Sequence, residues 1–206
     1  MPVKALLWLW YKPRETFQLV DAGPKANNNA ALLVVIAAYA GLMEQLFSRH
    51  ISSFAIALVL LLLPVFAIVM WYLSGWLMRV VVGWMGGQCS TEQARLALAW
   101  GGVPSTVGAL LAVLLYLVYG QAVVLAPQSL SGPAVLAVWL TLLLNLYSLF
   151  TVAKMLAQAA GFSAWIGLAA TITLLLICFV AILVVTIIFM LALMAVIGPE
   201  ALQRAL

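Results

Sequence analysis

Charge is what this chain has least of. Only 7% of its 206 residues are charged, with nine basic residues, five acids and one histidine, whereas 67% are hydrophobic. A soluble globular domain carries about 25% charged residues, so the composition excludes a fold that water solvates on all sides. So few titratable groups also leave little for general acid–base catalysis.

Cysteine and the common catalytic motifs are scarce as well. The two cysteines, Cys89 and Cys178, fall in a polar connection and in the middle of an apolar run, which excludes a disulfide framework or a cysteine metal site. The chain has no Gly-x-Ser-x-Gly elbow, no phosphate-binding loop and no His-Glu-x-x-His pair. We therefore predict that the protein is not an enzyme and uses no cofactor. Its basic residues are scattered singly, without a run, so we expect no nucleic-acid partner.

Long apolar stretches are what the chain does have. A helix needs about 20 apolar residues to cross a bilayer, and lipid offers no partner for backbone N–H and C=O groups, which favours helices over open strands. We predict an all-α integral membrane protein with an amphipathic amino-terminal segment, residues 1–28, and a five-helix transmembrane domain, residues 29–206. The predicted spans cover about 30–47, 53–79, 92–119, 133–154 and 165–197.

Local signals support these boundaries. Asn27 to Asn29 can cap the first span, and the short turn after it makes the first two spans antiparallel neighbours. Ser90 and Gln93 form a predicted capping box at the start of the third span. From Leu168 to Val196 neither Gly nor Pro occurs, so we interpret the last stretch as one long span.

Basic residues predict the orientation. With five crossings, all the basic residues except Arg49 and Arg204 fall on one side of the membrane. The positive-inside rule predicts that this side is cytoplasmic. We expect a cytoplasmic amino terminus, a periplasmic carboxyl terminus, and contacts with anionic lipid headgroups at Lys4, Lys12, Arg14, Arg79, Arg95 and Lys154. Two arrangements of residues 1–28 remain open: the segment lies among the headgroups, or it packs as a strap on the spans.

Three residues share one predicted depth. Pro64, Pro104 and Asn145 each lie about 16–18 Å into their spans, near the middle of the hydrocarbon core. Each proline frees a carbonyl four residues earlier, at Leu60 and Trp100, and Asn145 can reach one of them. The carboxamide then serves either as packing glue or in a midplane site of a transporter, channel or lipid-moving protein.

Two further features of the spans are a ridge of small residues and one acidic residue. Gly101, Ser105, Gly108 and Ala112 recur at helical spacing as a ridge of small residues, which favours close helix packing. Glu44 is the acid placed within an apolar span, and an intramembrane ionisable group is a candidate functional site. It lies near the end of that span, so an interaction with Arg49 or His50 is the alternative.

Three short motifs resemble the Yip1-domain family, in particular its short bacterial branch. They are Lys12 to Phe17, the glycine-rich Gly83 to Gly87, and the third-span sequence from Glu92 to Pro104. The resemblance implies a compact five-helix membrane domain with a cytoplasmic amino terminus. Eukaryotic members are traffic factors that contact small GTPases through a longer head, which here is reduced to residues 1–28.

Together these patterns predict a non-enzymatic protein of the bacterial inner membrane. Its expected role is that of an adaptor or accessory factor that binds lipids and another membrane protein or a second copy of itself. The amino-terminal segment and the third-span ridge are the expected contact surfaces. The alternative function is the small transporter, channel or lipid-moving protein with its site near Pro64, Pro104 and Asn145.

Overall fold

The structure, a computed structural model, describes residues 3–46, 53–120 and 131–197, and the side chains of 4–43, 58–120 and 131–192. These residues form helices and no strand. The helices are α1 (Val3–Trp8), α2 (Pro13–Asp21), α3 (Ala26–Leu46), α4 (Ser53–Trp84), α5 (Thr91–Gly101), α6 (Val103–Tyr119), α7 (Gly132–Ala160) and α8 (Ala164–Ile197). The side chain of Glu44, and the whole of Arg49, His50 and Arg204, lie outside the described residues.

Five helical stretches are long and apolar enough to cross a membrane. They are Ala26–Met43, Leu58–Trp84, Thr91–Tyr119, Gly132–Ala160 and Ala164–Ala192. The predicted all-α membrane fold with five spans is therefore confirmed. The third span consists of α5 and α6 in succession.

Several helices begin or end away from the predicted residue. The helix of the first span begins at Ala26, so Asn27 to Asn29 lie in its first turn instead of preceding it. The fourth span runs past Lys154 to Ala160, where Gly161 takes a left-handed conformation with φ of 73°. The helix continues because lysine is compatible with a helix interior, and it ends only where Gly161 takes the left-handed conformation. The Lys154 ammonium group lies over the Phe150 ring, 4.3 Å from the ring centre.

The third span has a cap at its start and a break in its middle. Both hydrogen bonds of the predicted capping box are present, between the Ser90 hydroxyl and the Gln93 N–H and between the Gln93 side chain and the Ser90 N–H. The break falls at Gly102, because Pro104 has no N–H to donate to the preceding turn. The Gly102 carbonyl accepts hydrogen bonds from the hydroxyls of Ser105 (2.7 Å) and Thr106 (3.2 Å).

The chain divides into two compact units, Met1–Thr171 and Ile172–Leu206. In the described part of the second unit the backbone is one helix, the continuation of α8 to Ile197. In the first unit α5 packs against α2, α3, α4 and α7, and α6 packs against α3 and α7. Helices α3 and α4 are neighbours, as the short turn between them predicts. Large side chains with almost no exposure fill this core, among them Leu9, Met78, Leu96, Trp100 and Met155.

Glycines bring other helices of the first unit close to α7. A Cβ atom added at Gly101 would lie 2.6 Å from the Cα atom of Val152, and one added at Gly167 would overlap the Ala153 carbonyl. At Gly108 the same atom would lie 3.4 Å from the Thr141 carbonyl oxygen. The predicted ridge of small residues therefore faces α7 at Gly101 and Gly108.

Candidate functional site

Polar contacts gather several elements at one end of the first unit. The Gln93 side chain donates to the Asp21 carboxylate (3.1 Å), and the Asn27 side chain donates to Glu92. The Gln88 N–H donates to the Ala160 carbonyl (3.3 Å), which joins the α4–α5 connection to the end of α7. We call this region, formed by the end of α2, the start of α3 and the α4–α5 and α7–α8 connections, the basic end.

The predicted cationic residues lie at or near the basic end. Lys4, Lys12, Arg14 and Lys25 are exposed on the amino-terminal elements. Arg79 lies in the last turns of α4, Arg95 in the first turns of α5 and Lys154 in the last turns of α7. These residues come from four separate stretches of sequence. Contacts at the basic end join the end of α2 and the start of α3 to the start of α5, and the α4–α5 connection to the end of α7, while α1 packs on α2.

The amino-terminal segment is a strap on the spans, one of the two arrangements that the sequence left open. Helix α2 packs on α5 and α7 and buries Pro13, Thr16, Phe17 and Val20. Before α2 in the chain, Trp10 stacks on Tyr147 of α7 with parallel rings whose centres are 6.0 Å apart. The Tyr147 hydroxyl also donates to the Trp10 carbonyl. The strap is therefore fixed by burial and by side-chain contacts, not only by the chain that follows it.

The outer side of this strap combines cations with exposed apolar and aromatic side chains. We call Lys4, Leu7, Tyr11, Lys12 and Arg14 the N-terminal patch. Leu7 and Tyr11 are each 63% exposed. The ammonium group of Lys4 lies 4.3 Å from the centre of the Trp8 ring, and that of Lys12 forms an ion pair with Glu15 at 3.0 Å. Lysines beside interfacial aromatics are typical of surfaces that contact membranes.

The other predicted headgroup residues differ from one another in their surroundings. Arg79 is exposed and lines a pocket of about 470 Å³ with Gly87, Gln88 and Cys89. Arg95 is instead half-buried, with its guanidinium 3.9 Å from the centre of the Tyr72 ring. The Arg95 carbonyl also accepts a hydrogen bond from the Trp71 indole (2.9 Å). Arg95 therefore joins α5 to α4, a packing role that its charge alone did not indicate.

Cys89 lines the same pocket as Arg79. Burial raises the pKa of its thiol, while the positive charge of Arg79 acts in the opposite direction. The thiolate is the reactive form, so the raised pKa keeps this side chain protonated at neutral pH. The pocket beside Arg79 therefore contains a thiol that is not activated.

The midplane residues have local partners. The Tyr39 hydroxyl donates to the Leu60 carbonyl (3.0 Å), which Pro64 frees. Asn145 donates to the Thr141 carbonyl of its own helix (3.0 Å). Pro64 belongs to α4, which packs on α3 and α5, whereas Asn145 belongs to α7, which packs on α2, α5 and α6. The freed carbonyl of Leu60 is thus satisfied by a tyrosine that sequence reasoning missed.

A second carbonyl near the helix break has hydroxyl partners. The Gly101 carbonyl oxygen lies 3.1 Å from the Ser148 hydroxyl and 2.6 Å from the Thr151 hydroxyl, both on α7. All of these contacts are buried. Local sequence could not indicate either contact, because the paired residues are 47 and 50 positions apart.

We expect the Tyr39 hydroxyl to contribute measurably to stability. Tyr39→Phe removes the donor to the Leu60 carbonyl, and polar contacts between membrane helices contribute about 0.6 kcal/mol on average and up to about 1.7. The free energy of unfolding, measured by SDS titration in mixed micelles, should fall by about 1 kcal/mol. Tyr72→Phe is the matched control, because the Tyr72 hydroxyl makes no hydrogen bond among the described residues. Equal stability of the two variants would contradict this role for Tyr39.

Comparison with known proteins decides the family. The family model of the Yip1 domain matches residues 8–186, which is most of the chain. The chain belongs to the Yip1-domain family. No curated protein and no solved structure matches it. The resemblance drawn from the three motifs is confirmed at the level of the family, and the bacterial branch stays a prediction.

The motifs that carry the Yip1 resemblance have structural roles in this fold. The first motif, Lys12 to Phe17, begins α2 and contributes much of the surface that the strap buries. In the third motif Glu92 and Gln93 bind Asn27 and Asp21, while Trp100 is buried and Gly102 marks the helix break. In this Yip1 domain the first and third motifs therefore join the amino-terminal segment to the third span.

Proposed function

We propose that this Yip1-domain protein is a non-enzymatic adaptor that binds other membrane proteins or lipids at its basic end. The observation that carries the proposal is the N-terminal patch, an exposed cationic and aromatic surface on a strap that is itself buried against α5 and α7. A contact surface on a fixed support loses little conformational freedom on binding, which favours affinity.

The third-span ridge is not part of the proposed surface. Its residues Gly101 and Gly108 face α7 within the first unit, so they are occupied by packing. The sequence predicted two contact surfaces, the amino-terminal segment and the third-span ridge. We assign the contact role to the amino-terminal segment alone. The midplane alternative has weaker support, because the Leu60 carbonyl and the Asn145 amide have partners nearby.

The proposed location is the bacterial inner membrane, with the basic end in the cytoplasm. Seven of the nine basic residues lie on the amino-terminal elements, in the last turns of α4 and α7 or in the first turns of α5, and an excess of Lys and Arg in short connections favours the cytoplasmic side. The anionic cytoplasmic leaflet attracts such residues, by about 1 kcal/mol for each one near the surface. This orientation places the N-terminal patch where cytoplasmic and membrane partners are accessible.

Site-specific photo-crosslinking in native membranes tests the adaptor function. A benzophenone amino acid at Tyr11 keeps an aromatic ring in the N-terminal patch, and the matched control carries it at Leu61, an exposed apolar position of α4. We expect position 11 to yield discrete protein adducts, identified by mass spectrometry, at least several times more abundantly than position 61.

Charge reversal supplies the specificity control for this experiment. Lys4→Glu with Arg14→Glu should reduce the Tyr11 adducts strongly, while Lys4→Arg with Arg14→Lys should preserve them, because the proposed contact depends on positive charge. The same adducts from positions 11 and 61, or adducts that survive the reversal unchanged, would refute the proposed contact surface.

A further inference from the structure

Asn145 lies halfway along the fourth span and is exposed. Helix α7 runs from Gly132 to Ala160 and is long and apolar enough to cross a membrane. At 1.5 Å per residue, Asn145 is about 20 Å from either end of this helix. Its side chain is exposed, not buried between helices. A carboxamide is therefore presented at the depth where a bilayer is least tolerant of polar groups.

The carboxamide of Asn145 uses only part of its hydrogen-bonding capacity. Its nitrogen donates to the Thr141 carbonyl (3.0 Å), and a Cβ atom added at Gly108 of α6 would lie 3.6 Å from that nitrogen. The amide oxygen and the second N–H have no partner within the part of the chain that the structure describes. Lipid chains offer neither a donor nor an acceptor. These two groups therefore need a polar partner at the same depth.

Symmetry gives a second copy of the chain a polar group at the required depth. Two copies inserted in the same orientation and related by a two-fold axis normal to the membrane place equivalent residues at one level. A carboxamide has both donors and an acceptor. Two of them can therefore pair through two hydrogen bonds while each keeps its bond to Thr141. A different protein would need a polar group at this level of its own span.

Exposed apolar side chains continue the same face of α7. Val138 and Leu142 lie seven and three residues before Asn145, which places them on its side of the helix. They are 39% and 47% exposed. A polar asparagine within an apolar seam specifies the register of paired helices. The face thus combines an apolar contact surface with one group that fixes the alignment.

From these observations we infer that two copies of this chain pair along this face of α7, with the two Asn145 carboxamides hydrogen-bonded to each other. The contact uses no residue of the N-terminal patch. The inference therefore goes beyond the proposed adaptor function and does not depend on it.

The monomer–dimer equilibrium of the full chain in liposomes tests the pairing. Single-molecule photobleaching counts the labelled copies in each liposome as the protein is diluted in lipid. Asn145→Leu should weaken dimerisation about tenfold, because it removes both hydrogen bonds between the copies. Asn145→Gln keeps the carboxamide and should retain more of the affinity. Leu143→Ala, at an exposed position about 160° around the helix from Asn145, should leave the affinity unchanged. Wild-type protein that stays monomeric at every dilution, or equal affinity in the wild type and Asn145→Leu, would overturn the inference.

Cysteine crosslinking in native membranes identifies what covers this face. In a chain that carries Cys89→Ala and Cys178→Ala, Val138→Cys or Leu142→Cys should give a disulfide-linked dimer on oxidation with copper phenanthroline. Leu143→Cys lies at a similar depth and should give little. A link from these positions to a different protein would assign the face to that protein and refute self-pairing. Equal dimer yields at positions 142 and 143 would refute it too, since they would indicate random collisions.

Discussion

An added methyl group at position 101 or 167 should separate helices that now touch through their backbones. The Cβ atom of Gly101→Ala would lie 2.6 Å from Val152 Cα and 2.8 Å from its backbone nitrogen. Backbone atoms cannot turn aside as a flexible side chain can, so α5 must move away from α7. Overpacking in a well-packed core costs about 1–3 kcal/mol, and we expect each variant to reach about 3 kcal/mol.

The measurement is the SDS fraction at half-unfolding in mixed micelles, followed by tryptophan fluorescence. Gly41→Ala and Gly83→Ala are matched controls, because a Cβ atom at either position meets nothing within 4 Å. Alanine is favoured over glycine in helix interiors by about 0.5–1 kcal/mol, so the controls should be neutral or slightly stabilised. If Gly101→Ala and Gly83→Ala unfold at the same SDS fraction, the close approach of α5 to α7 is wrong.

The second large effect is expected at the carbonyl of Gly101. Ser148→Ala combined with Thr151→Val removes both hydroxyls that lie within hydrogen-bond distance of this buried oxygen. A buried acceptor left without a donor costs about 1–3 kcal/mol, so we expect the double variant to lose about 2 kcal/mol in the same SDS assay.

The single variants should not add up to this loss. The Thr151 hydroxyl has one proton to share between the carbonyls of Gly101 (2.6 Å) and Ser148 (2.8 Å), so either hydroxyl can serve Gly101 when the other is removed. The double variant should therefore lose more than the sum of the single losses. Thr141→Val is the control, because its hydroxyl donates only within α7, to Ala137. Strict additivity, or an equal loss in the control, would contradict shared donation.

The number and type of elements could be predicted from sequence because each depends on local information. The lengths of the apolar stretches predicted the five spans, and the Ser90 and Gln93 side chains predicted where the third span begins. Pro104 indicated a freed carbonyl in that span, whereas the division of the span at Gly102 is seen in the structure. The end of the fourth span was set too early, because one lysine was treated as a boundary whereas the helix continues to Ala160.

The candidate site was less accessible from sequence, because its contacts join distant segments. Pro64 indicates that the Leu60 carbonyl needs a donor, but only the packing of α3 on α4 supplies Tyr39. Arg95 has the same charge as Arg79, yet stacking on Tyr72 gives it a different environment. The burial of Trp100, whose indole N–H has no partner among the described residues, could be seen only once the strap was placed over α5.

The docked strap also has a mechanical consequence. Because α2 rests on α5 and α7 together, and Asp21 and Asn27 bind the start of α5, a load on the amino-terminal elements is divided between two spans. A protein held at this surface would keep a fixed angle to the bilayer instead of swinging on a tether. If the contact of Asp21 or of Asn27 with α5 were weakened, the bound protein would adopt a wider range of angles to the bilayer. This change would precede any change in binding affinity.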